Sequence, residues 1–572
     1  MSKEQAELRR WLEEVTDPEL SAELLSIRNE EKEVHERFYR SLEFGTGGLR
    51  GELGAGTNRM NIYTVRQATQ GFAAYLLTQE EKPSAAISYD SRHQSDVFAR
   101  ETARVLAANG IKVYLYPHLM PTPALSFAVL DRHCTGGVMV TASHNPARYN
   151  GYKAYAADGA QISGHVAAAV SEEIEKTDIF RDVKLADFEE ALADGRIEYI
   201  GDALIERYYA AVMAQALRPE LGKAAGLRLV YTPLNGSGLV PVMTVLKRMG
   251  HTDITVVPEQ EQPNGDFPTC PYPNPEILEA MQLGLNLCEK LGADLLLATD
   301  PDSDRVGTAV LQNGTPRLIS GNEMGVLLLD YICRTRLELH KMPKNPVAVR
   351  SIVSTTMTDA IAAHYGVEMR QVLTGFKYIG EQIAHLEAEG HPERFIFGFE
   401  ESYGYLAGGY VRDKDAVVAS MLICEMAAWY KGQGKNLGEA LDDLYAQYGY
   451  YFNKVDSYTF PGSDGMEKMA ALMETLRTEL PIAIAIASRP VTGHTDYEAG
   501  KRYEDGEGET PTGLPASNVM EFRLGKEGSL VARPSGTEPK LKFYYSLRAA
   551  DRPTAEKAYG EIKASVEDWL GL

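Results

Sequence analysis

The sequence predicts an α/β protein: three consecutive βαβ-based mixed-sheet domains plus a smaller C-terminal α+β domain, set around a central cleft. Three observations carry that prediction. Short apolar runs alternate with helical periodicity from residue 84 to about residue 400, the rhythm of parallel strands joined by crossover helices. The rhythm comes in three copies, each ending on a strand that runs into a polar loop, so the strand ends can face one cleft. A chain of 572 residues is also too long for a single core. The domains read as 1–205, 206–320, 321–450 and 451–572.

The chain opens on helix. Residues 3–40 carry apolar positions at helical spacing around Leu8, Leu12 and Val15, and Asp17-Pro18 restarts a helix with an N-cap and a first-turn proline. Phe44-Gly45-Thr46-Gly47-Gly48-Leu49-Arg50-Gly51 reads as a flexible glycine-rich loop presenting Arg50. It is not a dinucleotide fingerprint, because Arg50 replaces a required Gly, nor a P-loop, because Thr57 replaces the Lys. Strand 85–89, helix 95–109, strand 111–116, helix 123–132 and strand 135–140 make the first unit. Thr141-Ala142-Ser143-His144-Asn145-Pro146 follows that strand, and residues 147–153 read as a polar turn. The second unit is strand 227–231, helix 238–249, strand 253–257, helix 276–291 and strand 294–298, followed by a hairpin with Asn313-Gly314 at its tip. The third is strand 347–350, helix 355–364, strand 367–373, the loop 374–377, helix 378–389 and strand 394–397. Beyond about residue 451 the pattern changes to strands, a helix at 464–479, a loop-rich stretch at 489–515, strands 529–532 and 540–546, and a helix at 553–570.

Composition narrows the function. A net charge of −22 argues against nucleic acid or an anionic membrane as partner, so cations for an anionic substrate must be gathered locally. The five cysteines, at 134, 270, 288, 333 and 424, form no CxxC pair and indicate neither a disulfide framework nor a zinc site. The N-terminus has no apolar signal region, and no run is long enough to span a membrane. The expectation is a cytoplasmic monomer or weak dimer acting on small molecules.

Four loops carry chemistry. Ser143 sits where a strand ends, which is where ligands bind in open α/β sheets, and Pro146 keeps Asn145 out of helical geometry. Asp300-x-Asp302-x-Asp304 puts three carboxylates on alternate positions at a strand end, a set of hard oxygens suited to Mg²⁺. It is not an EF-hand, since Arg305 and Leu311 stand where Gly and Glu are required. Glu400 and Ser402, in the loop after the third unit, offer partners for sugar hydroxyls. Arg533-Pro534-Ser535-Gly536-Thr537-Glu538-Pro539 has the Arg, hydroxyls and Gly that can cradle a phosphate. Each loop alone also fits a plain polar turn.

Together, in this order and one per domain, the four loops resemble those of the α-D-phosphohexomutase family, and most closely its bacterial phosphoglucomutase branch. The Glu400-Glu401-Ser402-aromatic-Gly404 form and Thr374-Gly375-Phe376-Lys377 carry the likeness to that branch, while Gly398-Phe399 replaces the Cys-Gly of some members. The resemblance implies that Ser143 carries a phosphoryl group and that Asp300, Asp302 and Asp304 hold Mg²⁺ against it. It implies sugar binding by Glu400 and Ser402 with Thr374, Gly375 and Arg305 nearby. The non-reacting phosphate would lie on Arg533, Ser535, Gly536 and Thr537, and Arg50, His144, Lys153 and Lys377 would contact phosphate or move protons. The implied reaction interconverts glucose 1-phosphate and glucose 6-phosphate through glucose 1,6-bisphosphate, which serves as intermediate and activator. Mannose and pentose phosphates remain as alternative substrates, and a metal-dependent sugar phosphatase, a serine hydrolase and a non-catalytic binder remain as alternative functions. No G-x-S-x-G elbow surrounds Ser143, which counts against the serine hydrolase.

Overall fold

The computed structural model describes residues 2–45, 47–162, 164–460, 465–478, 485–506, 508–535 and 540–571. Two compact units emerge: Met1–Ser320 with Ile379–Gly398 and Ser402–Asn436, and Gly321–Tyr378 with Phe399–Glu401 and Leu437–Leu572.

In the first unit the N-terminal extension is three helices, Lys3–Glu14, Pro18–Ile27 and Glu31–Phe38. The Asp17 side chain accepts from Leu20 N at 3.0 Å, the N-cap the sequence predicts. These helices close over a small core in which Trp11 meets Phe38 and Tyr63 edge-on, with ring centroids 5.8 Å apart in each pair.

Next to it lies a six-stranded sheet in the order Leu49–Glu52, Tyr149–Ala156, Gly136–Val140, Ser84–Tyr89, Lys112–Leu115, Ile197–Tyr199. Gly136–Val140, Ser84–Tyr89, Lys112–Leu115 and Ile197–Tyr199 run parallel, as crossover helices require. Leu49–Glu52 and Tyr149–Ala156 run antiparallel at one edge. Two expectations are corrected here. Residues 149–153 are not a polar turn but the start of a strand, because Tyr152, Ala154 and Tyr155 bury their side chains. The glycine-rich stretch is not a free loop at Arg50, which is an exposed position on the strand Leu49–Glu52 opposite Gly151. Gly151 is required there, since a Cβ would come within 2.5 Å of the Thr141 carbonyl oxygen.

The second sheet has the order Thr315–Ile319, Val306–Gln312, Leu295–Thr299, Arg228–Thr232, Asp253–Val256. The hairpin turns at Asn313 and Gly314, both left-handed at φ +53° and +76°, as a two-residue Asn-Gly turn demands. Leu295–Thr299 is buried at every position and delivers the aspartate loop from the core.

In the second unit, Val347–Ser351 and Glu368–Val372 pair in parallel. The next helix begins at Phe376, so Lys377 lies in its first turn rather than in the preceding loop. The C-terminal part is a seven-stranded antiparallel sheet ordered Tyr450–Thr459, Lys540–Ala549, Gly528–Pro534, Met520–Arg523, Gly493–Asp496, Lys501–Glu504, Gly508–Pro511. Helices Gly465–Thr478 and Arg552–Leu570 belong to the same part. The stretch expected to be loop-rich holds three of those strands. They are four-residue strands with few apolar side chains, and the last of them, Gly508–Pro511, is the exposed edge of the sheet, so they lack the apolar alternation that marks a half-buried strand.

Candidate active site

Ser143 follows the fully buried strand Gly136–Val140 and takes a left-handed conformation, φ +51°. Its N–H donates to Thr141 Oγ1 at 2.7 Å, and Thr141 Oγ1 donates to Asp90 Oδ2 at 2.6 Å. Ser143 Oγ donates to Asp300 Oδ2 at 2.9 Å and lies 3.2 Å from His144 Nδ1. The His144 ring therefore reaches the serine although the two are neighbours in sequence. Burial, then the Arg305 charge, holds its pKa well below the ordinary value, so the ring is neutral.

The three aspartates converge as their alternation predicts. Each offers an oxygen within 4.8 Å of the others, and all three are buried. Asp300 Oδ1 accepts from the backbone N–H groups of Asp304 at 3.1 Å and Arg305 at 3.0 Å, which folds the loop back on itself. Ser303, at φ +49°, makes the bend. Asp302 Oδ2 accepts from Lys153 Nζ at 2.7 Å and Thr122 Oγ1 at 2.9 Å. Asp304 Oδ2 pairs with Lys414 Nζ at 3.2 Å and Lys153 Nζ at 3.5 Å. That leaves Asp302 Oδ1 and Asp304 Oδ1 buried without a hydrogen-bond partner. Two orphaned carboxylate oxygens beside a third carboxylate are costly in a protein interior unless a cation meets them. The donor set fits a hard divalent ion.

Burial opposes ionisation of all three carboxyls. At Asp302 the two lysines overcome it and hold the pKa below its usual range. At Asp300 and Asp304 burial and the neighbouring carboxylate prevail, and both are raised. Lys153 is depressed by burial but lifted further by Asp302 and Asp304, so it stays charged.

Other predicted residues of this unit gather here. Arg305 pairs with Glu276 and lies 3.8 Å from Asp304 Oδ1. Its backbone bridges to Gly404, and Val306 N–H donates to Tyr403 O at 3.1 Å, so the Ser402–Gly404 segment is zipped to the aspartate loop. Arg50 is close enough for its charge to lower the pKa of His144 and Arg92.

The second unit holds the rest. Glu400 is buried, and its Oε1 accepts from Gly375 N–H at 2.7 Å, with Gly375 at φ +126°. Thr374 Oγ1 is buried without a hydrogen-bond partner, and Lys377 Nζ lies 5.1 Å from the Tyr378 ring centre. Glu401 accepts from Ser351 Oγ at 3.1 Å and Ser354 Oγ at 3.4 Å. Arg533 is the next-to-last residue of the strand Gly528–Pro534, beside Tyr544, whose phenol is pushed up to about 12 by burial and the Glu401 carboxylate, with Arg533 opposing. Val531, Val519, Tyr497 and Tyr544 pack on Ile352, Val353 and Leu373, which brings the Arg533 strand against the loops that flank Glu400. Ser535 N–H donates to Lys540 O at 2.7 Å. Gly536 and Thr537 lie outside the described residues.

Four residues at the aspartates and the serine were not legible as site residues: Lys414, Asp413, Thr122 and Arg92. Lys414 comes in the charged run Arg412-Asp413-Lys414-Asp415, whose density was the available signal. Asp413 fixes it by accepting from Tyr155 Oη at 2.7 Å and contacting Lys414 Nζ at 3.1 Å. Thr122 opens a helix and carries no motif.

Comparison with known proteins concerns the family and the fold. Three family models match: phosphoglucomutase/phosphomannomutase alpha/beta/alpha domain I over residues 41–180, domain II over 206–314 and domain III over 320–448. A phosphoglucomutase of Staphylococcus haemolyticus is 38% identical over 512 residues, 89% of this chain and 91% of its own. One of Staphylococcus epidermidis is 36% identical over 539 residues, 94% of this chain and 96% of its own. Among solved structures, the open form of Paramecium pp63/parafusin, a phosphoglucomutase, superposes with a TM-score of 0.68 at 17% identity, over 93% of this chain and 97% of that one. A Burkholderia thailandensis phosphoglucomutase/phosphomannomutase family protein gives 0.65 at 17% identity, over 92% and 97%. These two likenesses concern the fold; the family models and the curated relatives decide membership, and the chain belongs to the phosphoglucomutase/phosphomannomutase family.

Proposed function

We propose that this enzyme interconverts α-D-glucose 1-phosphate and glucose 6-phosphate, with Ser143 as the phosphoryl carrier and glucose 1,6-bisphosphate as the intermediate. The observation that carries the reading is Ser143 Oγ held 2.9 Å from Asp300 in a buried group of three aspartates with two orphaned oxygens. Relatives 36–38% identical over most of their length bear the name phosphoglucomutase, which supports glucose over mannose or a pentose.

In this reading the phosphoryl group passes from Ser143 Oγ to the free 6-hydroxyl of glucose 1-phosphate. The bisphosphate then turns over, returns its other phosphoryl group to Ser143 and leaves as glucose 6-phosphate. Asp300, Asp302 and Asp304 would hold Mg²⁺ with an oxygen on Ser143, and the ion would neutralise charge on the transferring group. Phosphoryl transfer needs positioning and charge more than covalent help. Lys153, Lys414, Arg305 and Arg50 supply positive charge that the chain lacks overall. His144 and Lys377 complete the set that contacts phosphate or moves the hydroxyl proton. Glu400 and Ser402 grip the sugar, with Thr374 and Gly375 shaping the Glu400 side. Arg533 and Ser535, with Gly536 and Thr537, bind the phosphate that does not react. Domain limits at 205, 320 and 450 and a cytoplasmic, monomeric or weakly dimeric enzyme belong to the same proposal.

A coupled assay with glucose 1-phosphate, mannose 1-phosphate and ribose 1-phosphate in Mg²⁺ tests it. Glucose 1-phosphate should give the highest kcat/KM, without release of inorganic phosphate; steady phosphate release instead would indicate a phosphatase.

Two further outcomes are expected. Glu400→Ala should leave phosphorylation of Ser143 by the bisphosphate intact while slowing transfer to sugar, because Glu400 holds the Gly375 backbone rather than the serine loop. Unchanged kinetics with both glucose and mannose phosphates would remove Glu400 from sugar recognition. Arg533→Ala should lower kcat/KM about ten- to a hundredfold, since a charge-assisted hydrogen bond to phosphate contributes roughly 1.5–3 kcal/mol. Arg533→Lys should recover only part, because an ammonium lacks the planar fork. The Arg533→Ala enzyme should also release more bisphosphate into solution. Wild-type values for kcat/KM and for release in the folded protein would reduce Arg533 to a strand-end residue.

A further inference from the structure

We propose that Arg92 is a positioning residue for the reaction: its buried guanidinium fixes the backbone of the Ser143 loop and so sets the serine oxygen on the aspartate group. The proposal rests on the reading of Ser143 as the phosphoryl carrier.

Arg92 lies three residues past the end of the strand Ser84–Tyr89 and is 3% exposed. Its two terminal nitrogens meet four carbonyl oxygens of one loop. Nη2 donates to Ser143 O at 2.5 Å and to Asn145 O. Nη1 donates to Pro146 O at 2.9 Å and Tyr149 O at 3.1 Å. The four terminal N–H groups of the planar fork are thereby spent on the loop that carries the serine, and only the Nε–H is left without a hydrogen-bond acceptor. A loop holding a left-handed serine needs such outside determination, because that backbone region is disfavoured for residues other than glycine.

The fork is itself held from two sides. Asp90 Oδ1 accepts from Arg92 N–H at 3.0 Å and from Ser95 Oγ at 2.8 Å, while Asp90 Oδ2 lies 3.5 Å from Arg92 Nε. The same Asp90 oxygen accepts from Thr141, which takes the Ser143 N–H. One carboxylate thus orients both the guanidinium and the residue that bonds the serine backbone. On the other side, the guanidinium stacks on Phe267, with its carbon 5.0 Å from the ring centre. His93 Nε2 meets Asp266 Oδ1 at 2.7 Å, and Gly265 lies so close that a Cβ would come within 2.6 Å of His93 N. Residues 265–267 belong to the part of the chain that builds the sheet behind Asp300–Asp304, since Asn264 N–H donates to Asn235 O at 3.0 Å, just past the strand Arg228–Thr232. Arg92 therefore ties the serine loop to the structural block that presents the aspartates. Thr122 makes the second tie, with its N–H 2.9 Å from Asp302 O.

Arg92 makes no hydrogen bond to the aspartate group, although its charge reaches Asp300, Asp302 and His144. Its four side-chain hydrogen bonds all go to the Ser143 loop, and Arg92→Lys, which keeps the charge, isolates their effect on the position of Ser143. Displacement of a reacting oxygen by about an ångström is enough to slow an enzyme on the order of a hundredfold. The test compares Arg92→Met, which keeps volume but loses the fork, with Arg92→Lys, which keeps a charge beside Asp90. Both are examined for folding by near-UV circular dichroism, for Ser143 phosphate by mass spectrometry, and for kcat and KM per phosphorylated enzyme. The spontaneous hydrolysis rate of the phosphoserine is followed in parallel. Folded Arg92→Lys should show kcat lowered about ten- to a hundredfold, KM within about threefold of wild type, and faster phosphoserine hydrolysis; Arg92→Met should be lower still. If Arg92→Met does not fold, Arg92→Lys decides alone. Arg92→Lys with kcat per phosphorylated enzyme and hydrolysis rate both within twofold of wild type overturns the proposal, whatever its thermal stability. A wild-type enzyme that turns over without ever carrying phosphate on Ser143 overturns the carrier reading and this proposal with it, whereas a phosphorylated wild type beside an unaffected Arg92→Lys overturns this proposal only.

Discussion

Ser143→Ala should abolish interconversion of the two glucose phosphates, lowering kcat by several orders of magnitude, while leaving the fold unchanged. The substitution removes one oxygen that bonds Asp300 and touches His144. It leaves the Ser143 N–H on Thr141 and the Ser143 carbonyl on Arg92. Alanine adopts the left-handed backbone no less readily than serine does, so the loop keeps its shape. What disappears is the only atom in that position able to carry a phosphoryl group. The neighbouring positive charges can still bind substrate, so KM for residual activity should change little. Measuring kcat and KM in the presence of added glucose 1,6-bisphosphate checks this, because the bisphosphate rules out simple loss of priming. Near-normal turnover by Ser143→Ala would end the mechanism.

Asp302→Asn is expected to be next in severity, with kcat lowered on the order of a hundredfold or more and a higher Mg²⁺ concentration needed for half-maximal rate. The reason lies in how the two carboxylate oxygens are used. Oδ2 accepts from Lys153 and Thr122, and Oδ1 is buried without a hydrogen-bond partner. An amide has one oxygen. If it faces Lys153, the –NH₂ group occupies the position of the orphaned oxygen and cannot ligate a cation. If it is turned the other way, the –NH₂ group faces an ammonium and the Thr122 hydroxyl loses its acceptor. Lys153 would then rest on Asp304 at 3.5 Å, the longer of its two contacts. The rate titrated against Mg²⁺ for wild type and variant measures both effects. Full wild-type activity in excess EDTA would remove the metal from the aspartates.

Much of the fold could be read from the chain because its parallel strands are short apolar runs between punctuating loops. Leu295–Thr299 and Gly136–Val140 are buried at every position, and such runs stand out against helical periodicity. Elements with weaker patterns were missed. Tyr149–Ala156 starts in polar residues and looks like a turn until Tyr152 and Tyr155 are seen to be buried. Ala416–Lys431 is buried on nearly every face, so it has little amphipathic period to detect. The strands between Gly493 and Pro511 are short and mostly polar, with no apolar side to reveal them, and Gly508–Pro511 is exposed throughout.

The site was legible where local sequence holds the chemistry. Alternation alone brings Asp300, Asp302 and Asp304 together, and a strand end presents Ser143. What sequence could not give is contact across distance in the chain. Ser143 and Asp300 are 157 positions apart, and Thr122 reaches Asp302 across 180. Lys414 arrives from a charged run that resembles any solvated surface segment until Tyr155 and Asp413 pin it beside the aspartates. Arg92 carries no motif, and its value lies in four backbone carbonyls, which no side-chain pattern records. Adjacency in sequence does not by itself put the His144 ring on Ser143; the left-handed backbone at Ser143 accompanies a ring nitrogen 3.2 Å from Oγ.

Mass spectrometry of the enzyme after brief exposure to glucose 1,6-bisphosphate, with the phosphopeptide sequenced, tests the role of Ser143 most directly. One phosphate should be found, on Ser143, and it should be discharged by glucose 1-phosphate or glucose 6-phosphate at a rate at least equal to kcat. Phosphate on another residue, or an enzyme that turns over while Ser143 stays unmodified, would contradict it.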